Sequence, residues 1–264
     1  KIFKSKESNT KLNLFETFKL TSNQELVNAV QEIETETETE TETETSDSNI
    51  IKNKNKPLYE KITSLINSGE NIDSREIQTF KTLTHIACRK GNLKLLKFLC
   101  DLGADLEALD FEYMTPLFEA VICKNRKIIK FLVEEKKVNL EHKEIQDRTA
   151  FYWVACNGDI EMIKYLIEKN VEPNGLSRMG RTPLSKACWN GNNEVVEILV
   201  KLPKIKINEG DRNGRYPLHN AVWGSSGGRL GKKIVGENGN DSPLCAKVVK
   251  DNKNFSFNFY PLIL

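Results

Sequence analysis

The sequence lacks the features that mark most enzymes, membrane proteins and nucleic-acid-binding proteins. Only three of its 264 residues are His, and it contains no Gly-x-Ser-x-Gly, His-Glu-x-x-His or dinucleotide-binding glycine pattern, so no catalytic or cofactor motif is identified. No apolar run approaches the ~18 residues that a transmembrane helix needs. Lysine and arginine total 39 against 37 acidic residues, a balance that gives no reason to expect a nucleic-acid or membrane-surface partner.

The six cysteines include no Cys-x-x-Cys pair, which argues against a common zinc site. Four of them, Cys88, Cys123, Cys156 and Cys188, fall in or at the end of a predicted helix. We interpret them as small packing residues in a reducing compartment, which favours a cytoplasmic or nuclear protein that is not secreted. His85 shares a helical face with Cys88, but two ligands are too few for a metal site, and we predict no metal and no cofactor.

What the sequence does contain is a short box that recurs along the middle of the chain. The boxes begin at Thr82, Thr115, Thr149, Thr182 and Tyr216, so that successive boxes are 33, 34, 33 and 34 residues apart. Thirteen residues after each of the first four, a pattern of two apolar, one variable and two apolar residues returns, which places one apolar face on a helix. This period predicts a repeat architecture in which each repeat has two helices, a tight turn and a connecting loop.

The best-preserved boxes show a resemblance to a known family. The box at Thr82 reads Thr-Leu-Thr-His-Ile-Ala and is followed by Gly91 and by Gly-Ala-Asp at 103–105. The box at Thr182 reads Thr-Pro-Leu-Ser-Lys-Ala and is followed by Gly191. These residues resemble the ankyrin repeat, and the resemblance extends over about residues 81–223. It implies an all-α solenoid of stacked helix-turn-helix units with short hairpin loops.

The period also predicts how the chain is divided. We expect residues 1–56 to be mostly disordered, because the strict Glu-Thr alternation at 34–45 can bury neither face; only residues 22–33 have the pattern of a short helix. The predicted domains then follow in order: a degenerate capping half-repeat at 57–80, repeats at 81–113, 114–147, 148–180 and 181–214, a fifth repeat at 215–250 with a Gly-rich insertion at 224–240, and a non-repeat tail at 251–264 that we interpret as a truncated or mis-assembled chain end.

Two alternatives stay open for the unusual segments. The Glu-Thr tract is interpreted as a solvated linker, with an acidic or phosphorylated docking tail as the alternative. The stretch Gly224–Lys233 resembles a phosphate-binding loop only loosely, because Ser226 stands where that motif has Gly and Lys233 where it has Ser or Thr. We therefore interpret this stretch as a loop with a few basic side chains.

The resemblance implies a non-catalytic scaffold or adaptor that binds a protein partner along a concave groove. In this family the first helices and the hairpin tips line the groove, and Trp, Tyr and Arg are enriched at binding hot spots. The candidate binding residues are Trp153, Trp189, Trp223, Arg89, Phe111, Tyr113, Arg178, Met179 and Arg212. For Trp153, packing between repeats is an equally weighted alternative.

A second functional hypothesis belongs to a different class of protein. The chain could be the targeting fragment of a larger ankyrin-containing enzyme, and the box at Tyr216 together with Gly227–Lys233 faintly resembles arrays of 3′–5′ exonuclease-type proteins. No nuclease carboxylate motif lies within these residues. The sequence does not identify the partner, and no obligate oligomer is expected.

Overall fold

The computed structural model describes residues 24–32 and 46–223. Within them the protein is all-α, with no strand and a single isolated β-bridge between Arg75 and Thr82. The helices are α1 (Gln24–Glu32), α2 (Ser46–Asn67), α3 (Leu83–Lys90), α4 (Leu93–Asp101), α5 (Pro116–Ile122), α6 (Arg126–Glu134), α7 (Ala150–Asn157), α8 (Ile160–Glu168), α9 (Pro183–Asn190), α10 (Asn193–Val200) and α11 (Pro217–Trp223). No helix in this part of the chain combines the length and the apolarity required to cross a bilayer.

The chain divides into two compact units, residues 1–128 and 129–264. In the first unit α3 packs against α1, α4 and α5, and in the second α9 packs against α7, α10 and α11. The cores are aliphatic and aromatic. Side chains that are at most 1% exposed include Leu83, Ile86, Leu95, Leu96 and Leu99 in the first unit and Phe151, Val154, Ile163, Leu184, Val196 and Leu199 in the second.

Each recurring box starts a helix, as its sequence predicts. Pro116 and Pro183 occupy the first helical position, where a missing N–H costs nothing. The hydroxyl of Thr149 accepts a hydrogen bond from the Tyr152 N–H at 3.3 Å, and that of Thr182 accepts one from the Ser185 N–H at 3.0 Å. Thr115 makes no side-chain cap. A threonine side chain therefore caps the helix at Thr149 and Thr182 but not at Thr115.

The turn between the two helices of a repeat depends on glycine. Gly91, Gly158 and Gly191 end α3, α7 and α9 with φ values of 73°, 70° and 73°, in the left-handed region that disfavours other residues. After Gly91 and Gly158 the side chain of the following residue caps the next helix, whereas Asn192, which follows Gly191, makes no such cap. Asn92 accepts a hydrogen bond from the Leu95 N–H, and Asp159 accepts one from the Met162 N–H.

In each unit an asparagine side chain ties one turn to the turn of the following repeat. In the first unit Asn125 Nδ2 donates to the Cys88 carbonyl at 2.7 Å. In the second unit Asn192 Nδ2 donates to the carbonyls of Ala155 and Cys156 at 2.8 and 2.9 Å. A Cβ atom at Gly158 would lie 2.9 Å from Asn192 Oδ1, closer than such atoms approach in proteins. The glycine is thus required for its backbone conformation and for the space that Asn192 occupies.

The connecting hairpins share one backbone conformation despite different residues. Tyr113 and Asp147 have φ values of 60° and 61°, and Gly180 and Gly214, at the same place in later hairpins, have 74° and 71°. A side chain in this left-handed region costs roughly 1 kcal/mol, so that the hairpins of Tyr113 and Asp147 carry a strain that those of Gly180 and Gly214 avoid.

The N-terminal boundary differs from the prediction. The helix α2 begins at Ser46, eleven residues before the predicted start at Pro57 (57−46), so the backbone of residues 46–56 is helical. Lysine is a good helix former, which suits the Lys-rich stretch to a helix, and Asn55 at its end is fully buried.

The short helix predicted at 22–33 is present as α1, whose Leu26, Val27 and Val30 are completely buried. The Glu-Thr tract at 34–45, the insertion at 224–240, the second helix of the fifth repeat and the tail at 251–264 lie outside the described residues.

His85 connects the box of its own repeat to the next hairpin. Its Nδ1 accepts hydrogen bonds from the N–H and the hydroxyl of Thr82, at 3.2 and 2.8 Å, and its Nε2 donates to the Met114 carbonyl at 2.9 Å. The ring is completely buried. Burial disfavours the charged imidazolium and lowers the pKa of His85 to about 4.

Replacing Gly158 by Ala is expected to destabilise the protein more than replacing Gly191 by Ala. Both residues have left-handed backbones, which costs an L-residue roughly 1 kcal/mol. Only at Gly158 would the new methyl group also meet Asn192, because no described atom lies within 4 Å of the corresponding position at Gly191. Losing the two Asn192 hydrogen bonds adds about 1 kcal/mol each. Chemical denaturation measures both free energies of unfolding, and equal losses would contradict this role of Asn192.

The free energy of unfolding is expected to decrease as the pH is lowered, because His85 is buried in its neutral form. The group stays neutral in the folded state down to a pKa of about 4, whereas its ordinary pKa is 6.5. The stabilisation is therefore complete above about pH 6.5 and is lost as the pH falls towards about 4, by roughly 3 kcal/mol. Urea denaturation of the wild type and of His85→Ala between these pH values isolates the contribution of His85. An equal slope in the two proteins would show that another group is responsible.

Candidate protein-interaction surfaces

In the first unit the exposed apolar side chains lie at the hairpin tips and at the end of α5. Ile77, Phe111 and Ile122 are 58%, 39% and 38% exposed. The Phe111 N–H donates to the Thr79 carbonyl at 3.1 Å, which holds the two hairpins side by side. The Phe111 ring lies 6.5 Å from that of Phe80. Hydrogen bonds between backbones thus fix where these apolar side chains are presented.

The first helices of this unit present fewer side chains than expected. The fifth box position holds Ile86 and Glu119, which are 0% and 4% exposed. The Glu119 carboxylate forms an ion pair with Lys81, with Oε1 2.7 Å from Nζ, so its charge is compensated inside the unit. The eighth position is different: Arg89 and Ile122 are exposed. Of these two box positions, the eighth therefore presents its side chain for contact on this unit and the fifth does not.

In the second unit Trp153 is partly covered by its own repeat. The Arg148 guanidinium lies 4.4 Å from the centre of the Trp153 ring. Glu144 holds that guanidinium through two hydrogen bonds, Nε to Oε1 at 2.8 Å and Nη2 to Oε2 at 3.2 Å. The Glu144 side chain is completely buried. Trp153 is half-buried, and its Nε1–H is buried without an acceptor. This environment suits a packing role at least as well as a contact role.

The eighth box position of the second unit presents Cys156 and Trp189, which are both half-buried. Their helices, α7 and α9, pack side by side, and α11 packs against α9. Trp223 holds the same position on α11, although its side chain lies outside the described part of the structure. The backbone therefore places Trp189 and Trp223 in register on neighbouring helices.

The hairpins of the second unit also present apolar and basic side chains. Ile145 and Met179 are 40% and 43% exposed, and Arg178 and Arg212 are exposed. The Arg178 N–H donates to the Gln146 carbonyl at 2.6 Å, and the Arg212 N–H donates to the Met179 carbonyl at 3.0 Å. These bonds place successive hairpin tips beside one another, and three of the four residues, Arg178, Met179 and Arg212, are predicted binding residues.

Sequence reasoning missed Ile77 and Ile145. Ile145 stands four residues before Thr149, as Phe111 stands four residues before Thr115. Ile145 could therefore have been predicted from its equivalence to Phe111, which is one of the predicted binding residues. Ile77 stands five residues before Thr82, and this extra residue hides it from the same pattern. Tyr113, by contrast, is a predicted binding residue that is only half-exposed. Its backbone has the left-handed conformation of the hairpin.

The family assignment follows from comparison with known proteins. The family described as ankyrin repeats (3 copies) matches residues 50–144 and 136–211, which is more than half of the chain. The chain belongs to the ankyrin repeat family. Ankyrin repeats mediate protein–protein interaction, and the family is generally non-catalytic.

Individual ankyrin proteins match parts of the chain at modest identity. Over 148 residues it is 26% identical to transient receptor potential cation channel subfamily A member 1 of Homo sapiens, covering 53% of this chain and 13% of the channel subunit. Over 167 residues it is 29% identical to inversin of Canis lupus familiaris, covering 60% of this chain and 15% of inversin. Over 120 residues it is 29% identical to putative ankyrin repeat protein FPV223 of Fowlpox virus, covering 46% of this chain and 83% of the viral protein. The chain thus spans less than a sixth of the channel subunit and of inversin.

Replacing Glu144 by Gln is expected to lower the free energy of unfolding by about 2 kcal/mol, because it breaks a charged pair whose acidic partner is buried. Arg148, which is partly exposed, then loses its fixed position over Trp153, and the tryptophan fluorescence changes. Asp147→Asn is the matched control, since Asp147 is exposed and adjacent. Denaturation followed by fluorescence measures both effects, and equal stability of the two variants would contradict the structural role of Glu144.

Proposed function

We propose that the chain is a non-catalytic adaptor that binds a protein partner through the first helices and hairpin tips of its ankyrin repeats. The observation that supports this most is the placement of Trp189, half-exposed at the eighth box position of α9. Trp223 follows in register on the neighbouring helix α11. Large aromatic side chains at such positions provide contact area at low entropic cost.

In the second unit the hairpin tips supply the rim of the proposed surface, where Met179 exposes apolar area and Arg178 and Arg212 are exposed cations. In the first unit Phe111 and Arg89 are exposed, and we propose them as contact residues of that unit. An apolar centre with a polar rim is the usual anatomy of a protein interface. Trp153 contributes less contact area in this proposal, because the Arg148 guanidinium covers its ring. Tyr113 is half-exposed and belongs to a hairpin of the first unit.

The proposal predicts separate effects on binding and on stability. We expect Trp189→Ala to weaken binding of the partner by about tenfold or more. The free energy of unfolding is expected to change by less than about 1 kcal/mol, as for a side chain outside the core. Affinity capture with the whole chain identifies the partner, and calorimetry then measures the dissociation constant.

Tyr165→Ala is the matched control for this experiment, because Tyr165 is a half-buried aromatic residue on a second helix, α8. This variant is expected to bind as the wild type does. A large loss of melting temperature in Trp189→Ala with unchanged binding would place Trp189 in the core and overturn its proposed role.

We propose as a second candidate that the array is the targeting part of a longer protein. This is supported by the channel subunit and inversin, in which the matching segment is 13% and 15% of the length. Genomic sequence on both sides of the segment tests the idea. A catalytic motif there would favour the enzyme hypothesis, and reading frames without a further domain would contradict it.

A further inference from the structure

The hairpins of the second unit differ in charge from the hairpin that carries Phe111. We define the basic hairpin face as Ile145, Arg178, Met179 and Arg212. Two of these side chains are apolar and 40% and 43% exposed, and two are exposed guanidinium groups. The backbone hydrogen bonds from Arg178 to Gln146 and from Arg212 to Met179 set the spacing between the hairpins. The face is therefore held by the repeat stacking and not by its own side chains.

The carboxylates of these hairpins are used internally. Glu144 is buried and binds Arg148 through both oxygens. Asp211, whose side chain is also completely buried, pairs with Arg181 at 3.2 Å and accepts hydrogen bonds from the N–H groups of Asn213 and Arg215. Neither carboxylate is available to neutralise an exposed arginine.

What remains at the surface is a cationic excess. In segments 143–148, 176–181 and 210–215, the charged side chains that are exposed are Lys143, Arg178, Arg212 and Asp147, three cations against one carboxylate. By contrast, the single hairpin at 109–114 exposes Glu112 beside Phe111, and its other charged residue, Asp110, is buried. Similar apolar tips are thus set in opposite electrostatic surroundings.

We propose that the basic hairpin face binds an acidic segment of the partner that also carries apolar side chains. This inference rests on the proposed function and names the chemistry of the partner. Its carboxylates pair with Arg178 and Arg212, since guanidinium groups bind carboxylates with two parallel hydrogen bonds. Its apolar side chains cover Ile145 and Met179. The Phe111 hairpin, with Glu112 exposed beside it, does not accept such a segment.

A peptide is favoured over a nucleic acid for two reasons. The face interleaves arginines with aliphatic and thioether side chains, whereas single-stranded nucleic acids are bound by aromatic stacking within a longer basic groove. The chain as a whole carries a formal charge of only +2, without the basic excess that such partners require.

The test uses a random-peptide library displayed on phage and selected against the whole chain. The selected sequences are expected to be enriched in Asp or Glu together with Leu, Ile, Phe or Met. Synthetic copies of them are expected to bind Arg178→Glu/Arg212→Glu at least about tenfold more weakly than the wild type. Raising the salt concentration from about 0.05 M to about 0.5 M weakens binding further, because it screens exposed charges.

Two variants make the comparison specific. Lys201→Glu/Lys204→Glu changes the net charge by the same amount at exposed residues away from the hairpin tips, and it is expected to retain full binding. Arg178→Gln/Arg212→Gln removes the charge without reversing it and is expected to give an intermediate loss. Circular dichroism of each variant verifies that the helices are intact.

The outcomes separate this inference from the proposed function. Selected peptides that lack acidic residues, or that bind the arginine variants unchanged while Trp189→Ala abolishes binding, overturn the acidic partner and leave the adaptor function in place. Displacement of the peptides by a single-stranded oligonucleotide overturns it in favour of a nucleic acid. Failure to select any peptide, together with failure to capture any partner, overturns both.

Discussion

The structure depends on one constraint: a two-helix repeat is too small to bury the apolar faces of its own helices. Each neighbour supplies the missing surface, and fully buried leucines on the second helices, such as Leu99 and Leu199, show how completely this is done. Burying a leucine contributes roughly 1.5–3 kcal/mol to stability. A solitary repeat leaves these leucines exposed and so cannot offset the conformational entropy that is lost when its chain is ordered. The stability of the stack therefore increases with each neighbouring repeat that is added. The residues that face solvent do not contribute to these contacts, and their identity can vary.

The repeat architecture was predictable because its causes are local in sequence. Thr149 and Thr182 cap helices, Pro183 begins one, and Gly91 ends one, and each of these roles follows from the residue type. Contacts between repeats were harder to predict from the sequence. The bond from His85 to the Met114 carbonyl joins residues 29 positions apart, and no pattern within a single box indicates it. The same holds for the start of α2, because the burial of Asn55 depends on its tertiary surroundings.

The exposed positions on which the proposed interaction surface is based were predictable only in outline. Box positions identified Arg89 and Trp189, and hairpin positions identified Phe111 and Met179, because the period assigns them a common place. Exposure depends on what the rest of the repeat provides. Glu144 and Arg148 partly cover Trp153, whereas Lys81 compensates Glu119 within the unit. Both pairs belong to the hairpin and first-helix segments, so that the same segments that build the surface also decide which aromatic and charged side chains remain on it.

The asparagine bridges give the array a polarity. Asn125 and Asn192 each donate to carbonyl groups at the end of the preceding first helix, so the end of that helix is completed by the repeat that follows it. Detachment of the following repeat leaves these carbonyl groups without their asparagine donors. Unfolding of a repeat is therefore expected to loosen the end of the first helix in the repeat that precedes it, so that local disorder at one turn is passed to its neighbour on the N-terminal side.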